Sequence, residues 1–268
     1  MEYIIGMFHG LNQKYKMDIY PQYIQACKEA LNSEKFFIKF RKNAAYHSVI
    51  EGVPGYLGQE YIDYIIVNYP HLLSYMDKFV ITDNIGTPAK YNYNGMRYPI
   101  SSVTSRYIKI LGDLLFYFSP LEDLDIVEIG AGFGGQCKIM YDFVVPRSYT
   151  IIDLPEAWQL AEKYLSRFGI HEVKFKSPVD ILDEKYSLCI SNYGFSEFGR
   201  EYQDLYAEKV IKNSDKGYMI CNFFGEYTVK DRIGGFTKNE IKGLKPTGKI
   251  LPEKPLSLKG NFLYLWKS

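Results

Sequence analysis

Apolar residues recur along this chain with two spacings, and the change comes near residue 124. Upstream the spacing is helical. Residues 21–31 carry apolar side chains three and four apart, 56–69 continue the pattern, and 74–80 form a short amphipathic piece. The stretch 82–99 contains Asp83-Asn84, Gly86, Pro88, Asn94-Gly95 and Pro99, which predicts turns. Ser102–Phe118 is helical again, with Val103, Tyr107, Ile110, Leu111, Leu114 and Leu115 on its inner face.

From residue 124 short apolar runs alternate with helical patterns. Strands are predicted at 124–129, 149–153, 173–176, 186–191 and 218–224. Helices are predicted over Gly135–Phe143, 155–168 and 201–211, with Pro155 in a first turn, where its missing N–H is tolerated. A helix at 237–244 and strands at 247–251 and 261–266 close the chain. Those last two strands follow each other closely, so one is expected to run antiparallel to the rest. The predicted fold is α/β: a doubly wound, Rossmann-like sheet of seven strands, one antiparallel near the C-terminus, with an N-terminal helical extension. Residues 1–118 are expected to form a helical lid or substrate region, and 119–268 the sheet domain.

Composition narrows the picture. The 268 residues are 47% hydrophobic and 24% charged, ordinary values for a soluble globular protein. A net charge of +1 gives no electrostatic reason to expect nucleic acid as a partner. The four cysteines, Cys27, Cys137, Cys189 and Cys221, form no CxxC pair, and the last three fall in predicted core elements. Reduced thiols in a cytoplasmic protein are expected. Histidine is scarce and no cluster has metal-ligand spacing, so no metal is expected. Residues 1–6 lack a basic region followed by an apolar stretch, and no run reaches the roughly 18 apolar residues of a membrane span. The 25 tyrosines suit polar ligands such as sugars, although Lys, Ile and Asn are frequent too and the bias is equally one of composition.

The candidate chemistry begins at Glu128-Ile-Gly-Ala-Gly-Phe-Gly134, followed by Gly135. A glycine loop between strand and helix turns sharply and directs backbone N–H groups at a ligand beyond the strand ends. Gly130-x-Gly132-x-x-Gly135 fits the dinucleotide pattern, whereas Glu128-x-Gly130-x-Gly132-x-Gly134 fits that of class I S-adenosylmethionine (AdoMet) enzymes. Glu128 favours the second. AdoMet carries an ammonium and a sulfonium, and a pyrophosphate gains nothing from a carboxylate. Asp153 would accept hydrogen bonds from both ribose hydroxyls of either cofactor; it would also serve as a helix N-cap ahead of Pro155. Arg106 and Tyr107, on the helix before the first strand, are candidates for the cofactor carboxylate. Their structural alternatives are a helix-face salt bridge and a core contact.

Three phrases carry a family resemblance: Val-Glu-Ile-Gly-Ala-Gly-Phe-Gly-Gly (127–135), Tyr-Thr-Ile-Ile-Asp-Leu-Pro-Glu (149–156) and Ser-Asn-Tyr-Gly-Phe-Ser-Glu-Phe (191–198). They resemble the sugar O-methyltransferase family of bacterial surface-polysaccharide loci, over about residues 80–225. Phe198 departs from relatives that carry Met there. The resemblance implies AdoMet as methyl donor and a sugar, nucleotide-activated or polysaccharide-linked, as acceptor. By position it implies that Glu128, Gly130, Ala131 and Gly132 line the methionine part, and that Asp153 and Leu154 hold ribose and adenine. Ser177 or Asp180 would approach the adenine, and Asn192 and Tyr193 would border the transferring methyl group.

A sugar hydroxyl needs a base near neutral pH. Glu197, after the fourth strand, is the first candidate; a first-turn helix residue or a hydroxyl partner without proton transfer are its alternatives. His47 is the second, with a surface or capping role as its alternative, and His9, His71 and His171 are weaker. The segment 82–107 is expected to act as a lid and 225–235 as a substrate loop. Competing activities are an AdoMet enzyme for a phosphorylated metabolite or an amine, an NAD-dependent oxidoreductase, and a non-catalytic subunit of the same fold.

Overall fold

The computed structural model describes residues 13–223 and 235–267, with side chains from residue 21 onward. Strands β1 (Asp125–Ile129), β2 (Ser148–Ile152), β3 (Lys174–Lys176), β4 (Tyr186–Asn192), β5 (Ser214–Cys221), β6 (Lys249–Pro252) and β7 (Phe262–Lys267) form one sheet. Its order is β3-β2-β1-β4-β5-β7-β6. β1 to β5 are parallel, and β7 runs antiparallel to both β5 and β6. This is the doubly wound, seven-stranded sheet expected, with the one antiparallel strand near the C-terminus.

The alternation along each strand builds two cores. β1 sends Ile126 to one face and Val127 and Ile129 to the other; β4 splits Leu188 and Ile190 from Cys189. Because both faces are covered there, the central strands β1, β2 and β4 are buried over most of their length. Helices α1 (Gln13–Asn32), α2 (Gly55–Asn68), α3 (Ser102–Phe118), α4 (Gly135–Phe143) and α5 (Pro155–Ser166) supply the first core. Short α6 (Gly194–Glu197), α7 (Arg200–Tyr206) and α8 (Lys238–Lys242) lie with the second.

Three elements differ from the sequence pattern. α1 starts at Gln13 and carries Pro21 inside it, instead of beginning there. α3 is buried on nearly all sides, because α2 covers its outer face; its charged Lys109 and Asp113 are paired at 2.7 Å, and Asp113 also accepts from the hydroxyls of Tyr69 and Tyr218. β5 begins at Ser214, ahead of the apolar run. Its polar start is ordered by Trp266, whose indole lies where a Cβ on Gly217 would stand and donates to the Ser214 carbonyl at 3.2 Å.

The strand order reverses between β1 and β4, so the loops after them part and leave a crevice at the carboxyl end of the sheet. The substrate loop expected at 225–235 lies outside the described residues except for Gly235, and so does His9. Among the described residues no helix is long and apolar enough to cross a membrane.

Candidate active site

The crevice is a cleft whose floor is the loop after β1. Gly130, Gly132 and Gly134 all have positive φ, between +58° and +80°. At Gly130 the need is twofold, since a Cβ would also stand 3.1 Å from the Cα of Gly194 in the facing loop after β4. Gly135, the residue that completes the dinucleotide pattern, answers to packing: a Cβ there would meet the Tyr107 ring at 2.4 Å and the Phe133 ring at 2.7 Å.

Two buried carboxylates flank the loop. Asp153 follows β2 and accepts from the backbone N–H of Gly132 at 2.9 Å and of Leu154 at 2.8 Å. It therefore braces the glycine loop; the residue at the helix cap is Leu154. Burial pushes the Asp153 pKa up to about 6, against the pull of those amides. Glu128 lies on β1 with the Tyr149 hydroxyl donating to it at 2.7 Å. Burial pushes its pKa up to about 7, the Tyr149 bond pulls it down and the Asp153 charge adds to the rise. Glu128 has no cationic partner among the described residues.

α3 brings Arg106 and Tyr107 to the same cleft. Arg106 makes no salt bridge among the described residues: its guanidinium lies 5.0 Å over the Tyr193 ring, and its Nε is buried with no hydrogen-bond partner among them. Tyr107 is buried, and burial pushes its hydroxyl up to about 12. Asn192 ends β4 with its Oδ1 also buried and unpartnered. Tyr193 adopts φ +70°, unusual for a side chain of its size. Its hydroxyl donates to Glu253 and lies 3.2 Å from Ser257 Oγ. Glu197 closes α6, half-buried, and accepts from the Asn222 side-chain amide. Asn261 donates to Asn222 Oδ1 at 3.0 Å and to Ser257 Oγ at 2.9 Å, and Ser257 donates to Glu253. A hydrogen-bonded chain thus runs along one wall of the cleft from Glu197 to Tyr193.

The cleft brings together Arg106, Tyr107, Glu128, Gly130, Ala131, Gly132, Asp153, Leu154, Asn192, Tyr193 and Glu197. It does not include His47, which is exposed on the π-type turn His47–Glu51, although the next residues of that turn line the cleft. Ser177 is buried and accepts from Trp158 Nε1 at 3.2 Å, and Asp180 is exposed; neither lines the cleft. His71 and His171 are exposed elsewhere. Of the segment 82–107 expected as a lid, Arg106 and Tyr107 line the cleft and the rest does not. Asp83 is buried in an ion pair with Arg41, and the cleft is covered by 48–57.

The sequence reading gave no cleft role to Tyr23, 48–57, Gly194, Phe198 or Asn222, nor to a second group, Ser257, Leu258 and Asn261 from the β6–β7 connection. The second had a signal. Antiparallel neighbours need only a short turn, so a long polar connection at 253–261 marks a segment with another task.

No family model matches the chain, and no curated protein matches it. Solved structures match in part. Thermoplasma acidophilum 1320 is 14% identical, over 72% of this chain and 97% of that one, with a TM-score of 0.45. The mitomycin 7-O-methyltransferase MmcR is 11% identical, over 62% of this chain and 57% of that one, with a TM-score of 0.43. PigF with SAH is 10% identical, over 62% of this chain and 59% of that one, with a TM-score of 0.45. The chain thus spans less than two thirds of the last two.

Proposed function

We propose that this chain is an AdoMet-dependent O-methyltransferase acting on a sugar hydroxyl. One observation carries the cofactor: Arg106 Nε and Asn192 Oδ1, both buried and without hydrogen-bond partners among the described residues, border the cleft that also holds Glu128, a carboxylate with no cationic partner among them. A donor cation, a carbonyl acceptor and a carboxylate together complement an amino-acid zwitterion with added positive charge. Orphaned buried groups are costly, so a ligand that satisfies all of them is favoured. Arg106 takes the cofactor carboxylate, and Glu128 with Asn192 takes its ammonium side. Asp153 keeps acceptor capacity for ribose hydroxyls beside the two amides it already accepts. Ala131, Leu154, Tyr107 and Tyr193 border the same space. An NAD reading has less support, because packing accounts for Gly135 and Glu128 would face a pyrophosphate.

Bound AdoMet supplies a methyl group on a sulfonium that is already a good leaving group. The chain has to align the acceptor oxygen and take its proton. Glu197 is placed for the second task, on the short helix after β4 and oriented by Asn222. A positioned base contributes roughly 10²–10⁴-fold. The sugar acceptor is supported by the resemblance at 149–156 and 191–198 and by the polar wall of Asn222, Ser257 and Asn261.

In this reading 1–118 serves as the cover and substrate region and 119–268 as the catalytic domain, in a reducing, cytoplasmic setting that suits four buried free thiols. The test is methyl transfer from labelled AdoMet to a panel of sugars, amines and phosphorylated metabolites. An O-methylated sugar is the expected product; transfer confined to amines or phosphorylated metabolites contradicts the sugar assignment.

A further inference from the structure

We infer that the acceptor is a sugar within a glycan chain, and that Tyr56 and Tyr91 form a platform for units beyond the one methylated. The inference rests on the sugar reading above. Tyr56, in the first turn of α2, lines the cleft and is nevertheless 55% exposed, so its ring stands at the mouth. Tyr91 is 40% exposed and lies against Gly55, the residue before Tyr56; a Cβ on Gly55 would stand 2.9 Å from that ring.

Tyr91 is exposed but not loose. Its backbone exchanges hydrogen bonds with Ile100 at 3.0 and 3.1 Å, and its ring stacks on buried Tyr93 at 5.8 Å and 25°. Tyr93 is fixed in turn by Ser102 at 2.8 Å. Two exposed aromatic rings, Tyr91 ordered from beneath and Tyr56 at the mouth one residue beyond the Gly55 that Tyr91 covers, offer apolar surface with hydroxyls at the edge. That matches the C–H faces and hydroxyls of successive sugar units.

Charge separates a glycan from a sugar nucleotide. With Glu128 and Asp153 engaged by the cofactor, Glu197 is the one charged side chain among the described lining residues left to face the acceptor, and no lining cation beyond Arg106 is described. Arg106 serves the cofactor carboxylate. A diphosphate attached to the methylated sugar would meet the Glu197 carboxylate with no described lining cation to pair with, a cost that a neutral glycosidic neighbour does not carry. Lys90 and Arg97 are exposed beside Tyr91 and Tyr98, away from the cleft lining.

The experiment measures methyl transfer by the full chain on neutral oligosaccharides, from single sugars to hexasaccharides, and on UDP-, GDP- and dTDP-sugars. We expect kcat/KM to rise with chain length and to exceed that for any nucleotide sugar. Tyr56→Ala and Tyr91→Ala should each lower the ratio of hexasaccharide to single-sugar kcat/KM by roughly three- to tenfold, the worth of an aromatic contact. Tyr91→Leu, which keeps bulk over Gly55, should lower it as well, which excludes misfolding as the cause. A length-independent kcat/KM, a preferred nucleotide sugar, or an unchanged ratio in all three variants overturns the inference while leaving sugar methylation intact. Methylation of no sugar at all overturns both.

Discussion

Glu128 sits out of water without a cationic partner among the described residues, which costs stability until a cation arrives. Its folded pKa of about 7 lies above the ordinary 4.5. The folded state therefore holds the proton more tightly, and this stabilisation is present below 4.5 and lost as the pH rises through 7. Glu128→Gln should stabilise the fold at about pH 8 by on the order of 3 kcal/mol, seen as a higher melting temperature, and change little at about pH 4. Equal effects at both pH values in thermal scans would contradict this. Glu197→Gln tests the base: turnover should fall at least tenfold while affinity for S-adenosylhomocysteine holds. Near-normal turnover removes Glu197 from the role. Among the candidates that line the cleft, Glu128, Asp153, Asn192 and Glu197 were legible because they stand at or just beyond strand ends, where local pattern and chemistry coincide, and Arg106 and Tyr107 because they lie on the helix before β1. Exposure is not local, so nothing in the phrase around His47 told that its ring faces water. Ser257 and Asn261 reach the wall, and Glu253 its support behind them, only through the pairing of β7 with β5.

At the scale of elements, the two loops that form the crevice depend on close approach. Gly130 and Gly169 have similar φ, +73° and +72°, but a Cβ on Gly130 would press on the backbone of Gly194 and one on Gly169 would meet nothing. Gly169→Ala should cost only the left-handed strain, about 1–2 kcal/mol in urea denaturation, and leave cofactor affinity unchanged. Gly130→Ala should cost more and weaken S-adenosylhomocysteine binding at least tenfold, because it separates the loops after β1 and β4. Equal effects would mean that the approach of Gly194 is incidental. α3 and α4 have the boundaries their periodicity predicts. β5 begins earlier because its first residues are held by Trp266 and strand pairing, neither of which has an apolar signature.

Across the whole molecule, Arg41 ties the cover of the cleft to its floor. It is fully buried and pairs with Glu51 at 2.6 Å and Asp83 at 2.8 Å. It donates to Ser101, the N-cap of α3, and its guanidinium lies 4.6 Å over Phe133 in the glycine loop. Arg41→Met would leave two carboxylates buried without their cation, and should cost about 3–5 kcal/mol in denaturant unfolding. A loss below about 1 kcal/mol would show that the cluster does not join the parts. The sheet class was legible from alternating periods. The covering by 48–57 was not, since Arg41, Glu51 and Asp83 belong to segments with no shared pattern.

The central claim is that the cleft between β1 and β4 holds AdoMet, and calorimetry with S-adenosylhomocysteine and NAD tests it most directly. We predict binding of S-adenosylhomocysteine alone. At about pH 6.5 it should release protons, seen as a heat that differs between buffers, because an incoming ammonium draws the Glu128 pKa down from about 7. Asp153→Ala should weaken the binding at least tenfold, through loss of charge-assisted hydrogen bonds worth about 1.5–3 kcal/mol each. Binding of NAD with none of S-adenosylhomocysteine would contradict the account.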